Sequence, residues 1–140
     1  MMHTIQDTIA EVQTVIKKLA GIRFAPDFPM DKPPTGVTAI CWANSGRYIY
    51  SRPIGIDDEN HTVYLDIIRP HGDLVRDLKS LEPYLRSVPK AIDAAVNSGE
   101  IVMSQDIISM GYTTITIQWG LVEFIGYRFI IEFYNITEDE

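Results

Sequence analysis

The hydrophobic pattern of the chain is most regular near its middle, where a strand period changes into a helix period. Val63, Leu65 and Ile67 alternate with more polar residues, and this period of two predicts a strand with one buried face. Residues 70–72 break the strand, and Asp73 can cap a following helix by accepting hydrogen bonds from its first turn. Apolar residues then recur at helical spacing: Leu74, Leu78, Leu81, Leu85, Val88 and Ile92. We expect this helix to pack on the strand and form the core.

Two prolines divide the predicted helix. Pro83 has no N–H to donate and crowds the carbonyl of Lys79, so we expect a kink or a break there. We expect a separate short helix to start at Pro89. The helical region ends at residues 97–99, where Asn, Ser and Gly follow one another.

The N-terminal segment predicts another amphipathic helix. Thr4 and Asp7 have the spacing of a capping box, with Asp in place of the usual Glu or Gln. Its apolar face recurs at helical spacing: Ile5, Ile9, Val12, Ile16 and Leu19. Gly21 is suited to end this helix. Residues 23–36 contain four prolines, so we expect an extended crossing of the surface.

The next part of the chain predicts one buried strand and a protruding excursion. Residues 37–43 form the strand, and residues 44–46, with the sequence Asn-Ser-Gly, predict a turn. Residues 47–53 alternate as a strand does, and residues 55–60 form a polar, acidic turn. We therefore interpret residues 44–60 as a hairpin arm or long loop, a segment more suited to contacts than to the core.

The C-terminal part predicts two or three further strands. Residues 100–110 are a weak candidate that ends at a turn or bulge at Gly111, whereas residues 113–119 alternate clearly. Residues 124–136 predict a long final strand with two apolar faces. One face carries Tyr127, Phe129, Ile131 and Phe133, and the other carries Arg128, Ile130, Glu132, Tyr134 and Ile136. An end strand of this kind predicts burial on both sides, for example against another subunit.

These elements predict an α+β fold in a single domain of residues 1–140. The sheet is mainly antiparallel, and the N-terminal helix and the central strand-to-helix unit pack on one of its faces. Residues 137–140 form a short acidic tail that we expect to be frayed.

Composition and charge narrow the classes of function. The net charge of −7 argues against a general nucleic-acid binder, which needs clustered Lys and Arg. Cys41 is the only cysteine, and we interpret it as a small buried hydrophobe in a protein that folds in a reducing compartment. The first residues lack the basic and apolar regions of a signal peptide, and no stretch approaches the roughly 20 apolar residues of a membrane span. We expect a soluble protein made in the cytoplasm.

No catalytic or metal-binding motif stands out in the sequence. The three histidines lie far apart, and no serine lies in a nucleophile elbow, so we predict no catalytic residue and no metal site. The best candidate for small-molecule binding is the strand–helix junction with Arg69, His71 and Asp73. Helix capping is the more conservative interpretation of these residues.

Candidate protein-interface residues lie in two places. Arg47, Tyr48, Tyr50 and Arg52 in the arm are of types enriched at protein interfaces. The second face of the final strand adds Arg128, Glu132 and Tyr134.

Several segments resemble the tail-terminator (tail-completion) proteins of long-tailed bacteriophages. The likeness runs from VTAICWANSG through HTVYLDIIRP and DLVRDLKSLEPYLRSVPKAI to YTTITIQWGLVEFIGYRFIIEFYNI. Its most specific points are Arg69-Pro70, Val88-Pro89 and Gly126-Tyr127-Arg128. The resemblance covers most of the chain from Val37 onward.

The resemblance implies a structural virion protein with no enzyme activity and no cofactor. Such a protein forms a ring, commonly six-fold, on the head-proximal end of the tail tube, stops tube polymerisation and offers a docking surface to head-completion proteins. The partners would be other copies of the chain, the tube protein and a head-completion or connector protein, with DNA only passing through. Two alternatives stay open: a head-closure or connector ring component, and a small cytoplasmic ligand-binding or enzyme domain that uses the junction at residues 69–73.

Overall fold

The fold is an antiparallel sheet with helices on one side, as seen in a computed structural model. The structure describes residues 5–23, 25, 36–49, 58–101 and 105–136, and it leaves undescribed the side chains of residues 49, 58, 105–108 and 134–136. The predicted cap at Thr4, most of the proline-rich crossing and the acidic tail lie outside these residues. The elements in chain order are α1 (Ile5–Lys17), β1 (Thr38–Ile49), β2 (Asp58–Pro70), α2 (Leu74–Leu81), α3 (Tyr84–Ser98), β3 (Gln105–Trp119) and β4 (Val122–Ile136).

The four strands form one sheet in the order β1-β2-β4-β3, with every neighbouring pair antiparallel. This arrangement confirms the predicted α+β class with a mainly antiparallel sheet. The final strand β4 is not at an end of the sheet, because it pairs with β2 on one edge and β3 on the other. Its two apolar faces therefore belong to an interior strand.

The helix boundaries show which local signals are decisive. Asp73 caps α2, and its side chain accepts a hydrogen bond from the N–H of Arg76 at 2.9 Å. The break at Pro83 is confirmed, because α2 ends at Leu81 and α3 begins at Tyr84. The predicted start of a helix at Pro89 is wrong, since this residue lies inside α3. Interior proline costs about 3 kcal/mol, and burial of the apolar side chains on both sides of Pro89 offsets that cost.

Two strands run through positions where turns are predicted. The predicted turn at residues 44–46 is wrong, because β1 continues to Ile49 and pairs with β2 along this stretch. The extra residue is absorbed by a shift in register between Ala43 and Ser45. Gly111 lies within β3 without interrupting it, and the irregularity of this strand falls between Ile107 and Ser109.

The main core lies between the helices and one face of the sheet. Fully buried side chains meet there from α1, α3, β2 and β4, among them Val12, Ile16, Ile92, Leu65 and Phe129. Polar contacts fix the layers: the Gln13 amide donates to the carbonyl of Ala39 at 3.2 Å, and the Tyr84 hydroxyl donates to the carbonyl of Ala20 at 2.7 Å. None of the described helices is both long and apolar enough to cross a membrane.

The opposite face of the sheet has no described helix on it. We call this surface the open face. Strand alternation and the pairing register assign its side chains: Ile40 and Trp42 of β1; Thr62, Tyr64, Asp66 and Ile68 of β2; Phe124, Gly126, Arg128, Ile130 and Glu132 of β4; Gly111, Thr113, Ile115, Ile117 and Trp119 of β3.

Candidate functional site

The open face carries large apolar side chains in a cluster separate from the main core. Ile40, Ile68 and Phe124 are buried at the base of this cluster. Four half-buried side chains pack against these three: Trp42, Ile115, Ile117 and Trp119. A sheet face that contacts only water carries mainly polar side chains, so the apolar composition of this face indicates a contact surface.

An ion pair lies at the centre of the open face. The β2–β4 register places Asp66 directly opposite Arg128. The guanidinium donates to both carboxylate oxygens, from Nε at 2.9 Å and from Nη2 at 3.0 Å. The side chain of Asp66 is 0% exposed and that of Arg128 is 24% exposed. This two-point geometry fixes the orientation of the arginine.

Two aromatic rings hold the same guanidinium. The Cζ atom of Arg128 lies 4.4 Å from the centroid of the Tyr64 ring and 5.2 Å from that of Trp42. The two rings meet edge to face with centroids 6.0 Å apart. Because both rings and Asp66 restrain Arg128, this part of the surface is rigid before any partner binds.

Burial and pairing act in opposite directions on the charges of the ion pair. Burial raises the pKa of Asp66 above its ordinary value, and the hydrogen bonds and charge of Arg128 partly oppose that rise. The bond to Asp66 raises the pKa of Arg128, so the guanidinium stays charged. The pair is internally neutralised, and the surface it supports is suited to packing against another protein.

The register shift in β1 sets which arm residues reach the open face. Ala43 is paired with Val63, whereas Ser45 is paired with Thr62, so the alternation of side chains reverses beyond the shift. Arg47 therefore lies on the open face. Together with Thr62 and Glu132, it borders a hollow of about 420 Å³ at the arm end of the open face.

Three of the predicted interface residues thus share one surface: Arg47, Arg128 and Glu132 lie on the open face. Tyr48 does not join them, because it lies on the helix-bearing side of the sheet and packs edge to face on His61 at 5.7 Å. It is 50% exposed there.

The remaining predicted interface residues lie partly or wholly outside the described residues. The backbone of Tyr134 pairs with Asn60 in the β2–β4 ladder. Tyr50 and Arg52 fall outside the described part of the chain.

The strand–helix junction proposed as an alternative site forms a closed cluster around Asp77. This carboxylate, 1% exposed, accepts hydrogen bonds from the N–H groups of Gly72 at 2.7 Å and Asp73 at 3.0 Å. His71 Nδ1 lies 3.2 Å and Arg69 Nε 3.4 Å from its oxygens. These contacts stabilise the start of α2, so the charged groups of the junction are engaged with one another.

Sequence reasoning did not single out Asp66, Trp42 or Tyr64. From the alternating pattern of the strand, Asp66 is interpreted as a polar residue that faces solvent. Its pairing with Arg128 depends on a strand register between residues 62 positions apart. The available signal was an acidic residue between Tyr64 and Ile68 on one strand face, and it needed a partner on another strand to be interpreted.

The arrangement of the open face offers surface for a protein contact. Among the described residues, no group of three or more His, Cys, Asp or Glu side chains is placed to hold a metal ion. No protein-family model matches the chain, and no curated protein matches it significantly.

Proposed function

We propose that this chain is a structural virion protein that forms a ring at the head-proximal end of a phage tail tube. The observation that carries the proposal is the open face, a sheet surface with Trp, Tyr, Ile and a prepositioned Arg at its centre. This is the composition of the central part of protein interfaces, where aromatic residues and arginine contribute most of the binding energy. The resemblance to tail terminators supplies the biological context.

The partner proposed for the open face is a neighbouring copy of the chain. In a ring, each subunit uses one surface to contact a different surface of the next subunit, and the contact closes by rotation. The centre of the open face would be buried, while Arg47 and Glu132 at its arm end would set orientation through charge. A prepositioned Arg128 keeps the entropic cost of each contact low.

The ring would stop tube growth and receive head-completion proteins on its other side, with DNA passing through. The net charge of −7 supports this role, because an acidic wall repels DNA and lets it slide without binding. Six-fold symmetry is the expectation that comes with the family resemblance.

The test is a charged substitution at the centre of the open face. Ile130 is half-buried there, so Ile130→Lys introduces a cation that the folded monomer can direct to water. The matched control is Ala94→Lys on the exposed side of α3, which makes the same change in charge. Circular dichroism and thermal unfolding establish that both variants fold.

The readouts are native mass spectrometry, negative-stain imaging and the length of tubes assembled with the tail tube protein of the same virus. We expect the parent protein and Ala94→Lys to form closed rings and limit tube length, and Ile130→Lys to do neither. Rings that bind a portal-side protein but leave tube length unchanged would indicate a head-closure component. A folded Ile130→Lys protein with unaltered rings would contradict the role of the open face.

A further inference from the structure

Strand β3 is an edge strand whose outer side has no described partner. It is 15 residues long and pairs with β4 alone among the described strands. Alternate residues of an edge strand direct their N–H and C=O groups away from the sheet, where another strand can bind them. No described helix covers this strand, and Tyr112 on its helix-bearing side is 59% exposed.

Most of β3 lacks the usual protection of an edge strand. Residues 107–119 contain no charged residue and no proline, and the register irregularity between Ile107 and Ser109 lies near one end. This part of the strand carries three exposed threonines: Thr113, Thr114 and Thr116. Natural sheets protect their edges with charges, prolines, bulges or covering elements, so an unprotected edge of this length indicates a pairing site.

The other edge of the sheet, β1, is protected by comparison. The carbonyl of Ala39 accepts from the Gln13 side chain at 3.2 Å, and the carbonyl of Val37 accepts from the N–H of Arg23 at 2.9 Å. The register shift after Ala43 interrupts the same edge. The two edges of one molecule therefore differ: helix and loop contacts engage the start of β1, whereas no described element pairs with the outer side of β3.

We infer that β3 pairs with β3 of a second copy of this chain, in a two-fold antiparallel arrangement that joins two sheets. An antiparallel strand that meets its own copy is self-complementary, and no like charges face each other between residues 107 and 119. Threonine opposite threonine, or Tyr112 opposite threonine, is a favourable cross-strand pair. The partner edge β1 is disfavoured because its first residues are occupied. This contact uses the edge of the sheet and not the open face, so it does not depend on the ring proposed above.

Single-cysteine scanning tests the two-fold axis directly. Residues 111–117 are replaced by cysteine one at a time. In a two-fold antiparallel pair, the residue on the axis faces its own copy at a Cβ–Cβ distance of about 5 Å. One position away, the two copies are separated by two residue steps, about 7 Å along the strand. Disulfide formation should therefore peak at one position and fall on both sides.

The native cysteine does not interfere with this scan. Cys41 is buried in the core, and burial raises the pKa of its thiol, with the charge of Asp66 adding to the effect. Ala94→Cys on the exposed side of α3 is the control for random collision. A flat cross-linking profile equal to this control overturns the inference.

A charge test measures the same contact by affinity. Thr114→Lys with Thr116→Lys places like charges on both copies of the edge and should raise the dimer dissociation constant by about tenfold or more in sedimentation or light scattering. The control, Ala94→Lys with Asn97→Lys, adds the same charge to exposed positions of α3 and should leave the constant unchanged. A protein that stays monomeric at all concentrations overturns the inference. So does an oligomer that the edge lysines weaken but that no single cysteine in β3 cross-links, since β3 would then pair with a different strand.

Discussion

Removing Arg128 should destabilise the fold by leaving a buried charge without its partner. Arg128→Met keeps most of the aliphatic length of the side chain but removes both hydrogen bonds to Asp66, whose side chain is fully buried. Breaking a buried ion pair by removing one member costs about 3–5 kcal/mol. Because the Arg128 side chain is 24% exposed and water can approach the site, we expect the lower end, about 3 kcal/mol at pH 7.

The sign of the pH dependence follows from the pKa of Asp66. Burial raises this pKa in the folded protein above its ordinary value of 3.8, so the folded state binds the proton more tightly than the unfolded state. Stability therefore falls as pH rises from the ordinary value through the raised value, and it is level above that. Arg128→Met removes the group that lowers the pKa of Asp66, so the pH range over which stability falls extends to higher pH. The loss should be largest at neutral pH and smaller near pH 5.

The assay is urea unfolding followed by far-ultraviolet circular dichroism at pH 7 and pH 5. Asp66→Leu combined with Arg128→Met removes both charges and should recover stability to within about 1 kcal/mol of the parent protein. Arg47→Met, the same change at an exposed arginine of the open face, should alter stability by less than about 0.5 kcal/mol. An Arg128→Met protein that loses less than about 1 kcal/mol at pH 7, or loses equally at both pH values, would refute the reasoning.

Two further predictions concern local contacts. Gly126→Ala should lower the free energy of unfolding in urea by more than about 3 kcal/mol, because the added Cβ would overlap the carbonyl oxygen of Ile67. In the control, Gly111→Ala, the added Cβ meets no atom within 4 Å, so stability should not change. Equal losses in the two variants would contradict this reasoning. Asp77→Asn should cost about 2 kcal/mol at pH 7. Burial alone would raise the pKa of Asp77, but hydrogen bonds, chiefly from Gly72 and His71, lower it below 3.8. Its stabilisation is therefore fully present above 3.8 and is lost as the pH falls through the lowered pKa, so the difference between Asp77→Asn and the parent should disappear over that fall.

The sequence predicted the elements whose signals are local. The cap at Asp73, the break at Pro83 and the alternation of residues 63–67 each depend on neighbouring residues, and the structure agrees with all three. Pro89 and residues 44–46 carry equally local signals, but the observed helix and strand run through them. At Pro89, core packing outweighs the local preference, and at residues 44–46 the pairing with β2 does so.

The candidate site was less predictable because it depends on strand order. Arg128 and Glu132 were identified from the unusual second face of the final strand, and Arg47 from the composition of the arm. Their common location requires β4 to lie next to β2 and the register of β1 to shift by one residue. Neither feature produces a periodic pattern in the sequence, so the surface could be recognised only once the strand pairing was known.

The placement of the indole rings gives the open face an intrinsic optical signal. The chain has two tryptophans, and both are half-buried on this face. Trp42 lies against the Arg128 guanidinium, and the ring centroids of Trp119 and Phe124 are 5.7 Å apart. A protein that covers this face would exclude water from both indoles and shift their emission to shorter wavelength. The unlabelled protein therefore reports its own assembly, and a spectrum unchanged by ring formation would locate the contacts elsewhere.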